Sequence, residues 1–74
     1  MQDQETETIE IVVNGEPRAV PGSLSVLDLL GFLGIDPSRV AVELNRQIVG
    51  KAAWSRSRVD AGAAVEIVHF VGGG

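Results

Sequence analysis

The segment SLSVLDLLGFLGIDP is the one stretch of this sequence with a clear helical pattern, and it constrains the fold most. Val26, Leu29, Leu30 and Leu33 recur at spacings of three and four, which places them along one apolar stripe. A single stripe on a single helix needs another layer to cover it, and the remaining apolar segments have the pattern of strands. The sequence therefore predicts an α+β domain.

The ends of this helix carry recognisable signals. Ser25 is expected to be the N-cap, with the Asp28 carboxylate in the first turn, where negative charge is favourable. Gly34 suits the position just after the helix, and Pro37 prevents continuation. Gly31 lies inside and weakens the helix by about 1 kcal/mol relative to Ala.

Four other segments predict strands. Ile9, Ile11 and Val13 alternate with other side chains, and Asn14-Gly15 after them is a strong signal for a type I′ hairpin turn. The segments RAV, VAVEL and AVEIVHFV complete the set, and a short pairing is expected after a turn near Asn45. We expect a mixed sheet of four to five strands packed on one main helix.

The segment KAAWSRSRVDAG is predicted to be irregular. Trp54, after two alanines, is expected to cover one edge of the core rather than to serve a cofactor. A 74-residue chain buries only about 60% of the surface that its unfolded form exposes, so the core is thin and one domain is the upper limit.

The last strand has two apolar faces. Val65 and Ile67 continue the core face, whereas Val68 and Phe70 point to the other side. Two interpretations are open. Val68 and Phe70 can pack under residues 50–59, or they can form an exposed apolar patch, which is typical of a partner site.

The sequence ends in VHFVGGG, and its three glycines are expected to form a flexible tail. A segment without side chains can enter a narrow channel and carry a terminal carboxylate into another protein's active site. That carboxylate is ionised at neutral pH, since its ordinary pKa is about 3.3–3.7. It can attack the α-phosphate of ATP to give an acyl-adenylate.

Composition excludes several functions. The chain has no Cys and one His, so it offers neither a thiolate zinc site nor a cysteine nucleophile, and no metal site is expected. His69 has no Ser, Cys or second His near it in the sequence, and we interpret it as a strand residue rather than a base. No phosphate-loop or dinucleotide motif is present, so ATP is expected to be bound by a partner and no cofactor by this chain.

The net charge of −4 is uneven. Residues 1–8 hold three acidic residues and no basic one, and they are expected to be a disordered leader. The near-neutral remainder argues against nucleic-acid binding, and the sequence has no apolar run of membrane-spanning length. We expect a cytoplasmic protein with a disordered leader at 1–8, a folded domain at 9–71 and a functional tail at 72–74.

The chain resembles the sulfur carrier proteins of thiamin thiazole biosynthesis, which have the ubiquitin-like β-grasp fold. The resemblance rests on IEIVVNGE, SVLDLLGFLGID, VAVELNRQIV and AAWSRSRVDAGAAVEIVHFVGGG, and so covers nearly everything after the leader. It implies that the Gly74 carboxylate is adenylated by an ATP-dependent activating enzyme and converted to a thiocarboxylate. The carrier then delivers sulfur to thiazole synthase.

By position, the resemblance makes Gly73 and Gly74 the terminal glycine pair and Gly72 the variable residue before it. It makes Val68, Phe70 and Val71 the expected partner contacts. The partners implied are the activating enzyme, thiazole synthase and a sulfur donor, either a protein or sulfide. The chain itself is then a co-substrate and not an enzyme.

Three other functions stay open from the sequence. The chain could be the small subunit of molybdopterin synthase, with its tail held in a catalytic subunit. It could be a ubiquitin-like modifier joined to lysines of target proteins. It could also be a non-covalent β-grasp interaction module, for which the tail would be dispensable.

Overall fold

The computed structural model describes residues 7–71, which form one mixed sheet packed against one α-helix. The elements are β1 (Thr8–Val13), β2 (Glu16–Pro21), β3 (Leu24–Ser25), α1 (Val26–Leu33), β4 (Val40–Leu44), β5 (Gln47–Val49), β6 (Arg58–Val59) and β7 (Ala64–His69). Within this range the main sheet has five strands in the order β2-β1-β7-β4-β5, and β3 pairs with β6 in a separate ribbon. The predicted sheet of four to five strands on one main helix is confirmed.

The last strand, β7, lies at the centre of the sheet. It runs parallel to β1 and antiparallel to β4, whereas the β1–β2 and β4–β5 pairs are antiparallel hairpins. Within the main sheet the β1–β2 and β4–β5 hairpins are therefore joined only through β7, which is also the strand that leads into the glycine tail.

Both hairpins turn through residues with positive φ. Asn14 and Gly15 have φ of 50° and 83°, as the predicted type I′ turn requires. Asn45 and Arg46 have φ of 51° and 71° in the second turn. An arginine in this conformation costs about 1 kcal/mol or more.

The helix ends where the sequence predicts. The Ser25 hydroxyl accepts a hydrogen bond from the Asp28 backbone N–H at 3.0 Å, and the Asp28 carboxylate accepts one from the Ser25 N–H at 3.2 Å, which makes a complete capping box. At the other end Gly34 has φ of 75°. Its N–H bonds the Gly31 carbonyl and the Ile35 N–H bonds the Leu30 carbonyl, as in a Schellman motif.

The core lies between the helix stripe and the inner face of the sheet. Its buried apolar residues are Ile11, Val13, Val20, Val26, Leu29, Leu30, Val40, Val42, Trp54, Val59, Ala63, Val65 and Ile67. Trp54 is buried as expected, and its indole N–H donates to the Val49 carbonyl at 2.8 Å, which satisfies its one polar atom.

The expectation that the segment from Lys51 to Gly62 is irregular is wrong in part. Lys51–Arg56 forms a 3₁₀ helix, and β6 pairs with β3 across the start of α1. The Val26 N–H donates to the Ser57 carbonyl at 2.8 Å. This pairing joins residues more than thirty positions apart, and neither partner has a strand-length pattern of its own.

The boundaries of the predicted domain change slightly. β1 begins at Thr8, which pairs with Pro21, so the first strand takes one residue from the predicted leader. The other leader residues from 1 to 6, and Gly72, Gly73 and Gly74, lie outside the described residues. No helix in the described part of the chain is long and apolar enough to cross a bilayer.

Candidate docking face and tail-bearing strand

The face of the sheet opposite α1 carries an apolar patch, which consists of Ala41, Ile48 and Val68. Val68 is opposite Ala41 in the β4–β7 register, and Ile48 is opposite Glu43 in the β4–β5 register. Val68 is 57% exposed and Ile48 78% exposed. The patch borders a shallow depression of about 190 Å³, which Val42 and Glu43 complete.

The exposure of the side chains decides between the two interpretations of the last strand. Val65 and Ile67 are buried, whereas Val68 and Phe70 are each 57% exposed and Val71 is 90% exposed. The alternative in which Val68 and Phe70 pack under residues 50–59 is therefore wrong. That segment packs instead against α1, on the other side of the sheet.

Sequence reasoning missed Ile48 as part of this face. In a strand Ile48 and Val49 point to opposite faces, so the sequence indicates that only one of them enters the core, and the structure shows that this residue is Val49. Once Val49 is assigned to the core, Ile48 must point away from it. The predicted contacts Val68, Phe70 and Val71 all lie on β7 or directly after it, and Ile48 extends the apolar surface across two further strands.

Two asparagines hold β7 between the hairpins. Asn14 accepts a hydrogen bond from the Ile67 N–H at 2.7 Å and donates one to the Ile67 carbonyl at 3.2 Å. On the other side Asn45 accepts from the Ala64 N–H at 3.0 Å through its side chain, and its own N–H donates to the Ala64 carbonyl at 2.7 Å. Each turn residue thus extends its hairpin's pairing with β7 beyond the regular ladder.

The backbone remains fixed one residue past the end of β7. The Phe70 N–H donates to the Arg39 carbonyl at 2.9 Å, which continues the β4–β7 pattern and keeps Phe70 in line with Val68. Arg39 ends a short 3₁₀ turn whose cap is Asp36. The Ser38 backbone N–H and hydroxyl bond the Asp36 carboxylate and, with a smaller contribution from Arg39, hold its pKa below the ordinary value.

His69 points to the opposite face from Val68 and Phe70. It lies at the mouth of a cleft of about 320 Å³ at one end of the core, which is also lined by Val13, Asn14, Glu16, Arg18, Leu33, Ile35 and Ile67. Within residues 7–71 no group of three or more His, Asp or Glu side chains is arranged to hold a metal ion.

These features define a ubiquitin-like β-grasp protein, in which a five-stranded mixed sheet encloses one helix. The crystal structure of the thiamine biosynthesis protein ThiS from Geobacter metallireducens is similar. Its TM-score is 0.79 and its sequence identity 39%, over 89% of this chain and all of that chain.

The sequence comparisons identify the family. The ThiS family model matches residues 11–74, and the chain belongs to this family. The sulfur carrier protein ThiS of Bacillus subtilis is 38% identical over 50 residues, which are 68% of this chain and 76% of that protein. The resemblance to the sulfur carriers of thiamin biosynthesis is therefore confirmed.

A longer relative is also similar. The thiazole synthase of Paramagnetospirillum magneticum is 46% identical over 66 residues, which are 89% of this chain. Those residues make up 20% of the synthase, so the chain spans about a fifth of its length.

Proposed function

We propose that this chain is a sulfur carrier for the formation of the thiazole of thiamin. Its Gly74 carboxylate is adenylated by an activating enzyme, converted to a thiocarboxylate and used by thiazole synthase as the sulfur source. The observation that carries the proposal is the exposed apolar end of β7, which leads directly into residues 72–74 of a chain whose family match extends to Gly74.

The reaction requires little from this chain beyond a carboxylate that is correctly positioned in the active site of the partner. A Gly74 carboxylate oxygen attacks the α-phosphorus of ATP, and pyrophosphate leaves. Hydrosulfide then attacks the acyl carbon, AMP leaves, and the C–O bond to phosphate is replaced by a C–S bond. The activating enzyme binds ATP, so the chain is a protein substrate and not a catalyst, and the consumption of ATP favours the cytoplasm as the compartment.

The names of the relatives favour the thiamin branch over the molybdopterin synthase subunit and the protein modifier. One is named a sulfur carrier of this family and another a thiazole synthase. The second contains a segment similar to this chain within a synthase, which supports thiazole synthase as the acceptor. Covalent linkage of two interacting domains raises their effective concentration to the millimolar range for a short flexible linker.

The decisive measurement is the intact mass of a protein produced with Gly74 as its last residue. Incubation with the activating enzyme of the same organism, magnesium ATP and sulfide is expected to add the mass difference between sulfur and oxygen, localised to the C-terminal peptide. Omission of ATP must prevent this change. An unchanged mass, with an enzyme preparation that activates the Bacillus carrier, would contradict the proposal.

The apolar patch gives a second test. Replacing Val68 by Asn is expected to raise the KM of the carrier, as substrate of the activating enzyme, about tenfold, which is equivalent to about 1.4 kcal/mol. The reason is that a polar amide would be desolvated at the centre of the contact. Val68 is exposed, so its replacement should cost the fold no more than about 1 kcal/mol of strand preference.

The matched control is Leu27→Asn. Leu27 is 42% exposed on the outer surface of α1, on the opposite side of the molecule from the patch. It reports the effect of removing an exposed apolar side chain that takes no part in docking. If both variants changed the KM equally, or neither did, the patch would not be the docking surface.

A further inference from the structure

The backbone of β7 is open on one side near its end. The Val65 carbonyl and both backbone groups of Ile67 face β1, where Asn14 binds them through its N–H and its side chain. Backbone groups two residues apart in a strand point the same way, so the N–H and C=O of His69 face this side too. β1 ends at Val13, so no strand of the described chain reaches His69 there.

The other side of the same segment is filled. Val40 is paired with His69 in the β4–β7 ladder, and the Phe70 N–H is bonded to the Arg39 carbonyl. Residues 69 and 70 thus have neighbours on the β4 side, whereas no described strand lies beside residues 69–71 on the other edge, which is open beyond the Asn14 side chain. An open strand edge is a template for pairing with another chain.

A cleft lies beside the open edge, on the helix side of the sheet. Its apolar walls are Val13, Leu33, Ile35 and Ile67, and Glu16 and Arg18 lie at its rim. Side chains alternate along a strand, so a segment paired with residues 69–71 would present every second side chain to this cleft. The surroundings therefore suit an extended peptide with an apolar residue at that position.

We propose that the open edge of residues 69–71 receives an extended segment of the adenylating enzyme by strand addition. This inference rests on the proposed function and states how the partner binds the segment that precedes the tail. A glycine tail has no side chains to recognise, so main-chain hydrogen bonds are the available means of fixing its path. The open edge supplies the first of them directly before Gly72.

The geometry also favours the enzyme over a second copy of this chain. The edge is three residues long and directly precedes, in sequence, the segment that must enter the active site. A second carrier at this position would offer the tail no catalytic site, whereas the enzyme gains the correct register of the carboxylate from the same contact.

The test compares two variants that lack the same side chain. His69→Ala keeps the backbone N–H, and His69→Pro removes it. Proline is tolerated in a strand where the N–H is not part of a ladder, so both variants are expected to fold. We expect kcat/KM for ATP-dependent pyrophosphate release to be at least about tenfold lower for His69→Pro than for His69→Ala.

A semisynthetic protein removes the same N–H without proline, so the test does not depend on the folding of the proline variant. A synthetic peptide of residues 64–74 with N-methyl-His69 can be ligated through a cysteine at position 64, and desulfurisation then restores Ala64. This protein is compared with the same ligation product without the methyl group. In parallel, hydrogen exchange of the His69 amide is expected to slow when the adenylating enzyme is added.

Equal kcat/KM in both pairs, or an exchange rate of the His69 amide that the enzyme does not change, would overturn the inference. That failure differs from failure of the proposed function. If the chain were not a substrate of the adenylating enzyme, the unmodified protein would itself release no pyrophosphate, and a chain that is adenylated but carries no sulfur would fail the intact-mass experiment.

Discussion

Removal of Gly74 is expected to reduce adenylation by more than about 10²-fold while leaving the fold unchanged. Loss of one residue draws the terminal carboxylate back by up to about 3.5 Å along an extended chain. A misplacement of 1 Å at a reacting centre can already cost about 10²-fold in rate. The folded domain is unaffected, because every buried core residue lies between Ile11 and Ile67.

This prediction separates docking from chemistry. The variant without Gly74 keeps the apolar patch and the end of β7, so it should still bind the activating enzyme and inhibit the full-length carrier competitively. Gly74→Ala keeps the position of the carboxylate and adds one methyl group. Its rate of pyrophosphate release should lie between the rates of the full-length carrier and of the variant without Gly74. Normal adenylation of the shortened protein would contradict the assignment of Gly74 as the reacting residue.

Local signals in the sequence were sufficient for the helix and the first hairpin. Ser25, Asp28 and Gly34 act through hydrogen bonds to residues within five positions, so their effect can be judged without knowledge of the fold. The same holds for Asn14-Gly15, since a type I′ turn is specified by the two residues that adopt positive φ.

Features that depend on distant parts of the chain were predicted less well. β3 and β6 are two residues each, and only their pairing across the start of α1 makes them strands. The fate of Val68 and Phe70 could not be decided from alternation, because either face of a strand can be covered. Residues 50–59 pack on α1, so they do not cover the outer face of the sheet.

In the candidate site too, features with a local signal were predicted and features that depend on distant parts of the chain were missed. Alternation along β7 separated Val65 and Ile67 from Val68 and Phe70, and the structure confirms which pair is buried. The contribution of Ile48 came from β5, which reaches the site only through its pairing with β4. The contact between Asn14 and Ile67 spans 53 positions, and nothing local in the sequence indicates it.

The roles of Gly72, Gly73 and Gly74, and of Val68, Phe70 and Val71 as partner contacts, stay predictions. They nevertheless fit one arrangement. β7 is central in the sheet, buried on one face and exposed on the other, and the exposed face becomes apolar at Val68, close to the end of the strand. A strand fixed in this way gives the tail a rigid starting point, so that the partner has only the last few residues to position.

Asn14 is expected to make the largest contribution to that rigidity of any side chain outside the core. Asn14→Ala should destabilise the protein by about 3 kcal/mol, from two lost hydrogen bonds at about 1 kcal/mol each and about 1 kcal/mol for alanine at positive φ. Domains of this length are often stable by only about 4–11 kcal/mol, so the effect would be large.

Asn14→Gly isolates the hydrogen bonds, because glycine accepts a φ of 50° without strain. It should cost about 2 kcal/mol, and the difference from alanine measures the backbone contribution. Urea unfolding monitored by the fluorescence of buried Trp54 gives both values. In each variant the Ile67 amide should exchange faster with solvent, since the side-chain oxygen of Asn14 no longer accepts a hydrogen bond from it. If stability fell but exchange at Ile67 were unchanged, Asn14 would act through the turn alone, and β7 would owe its fixed position to β4.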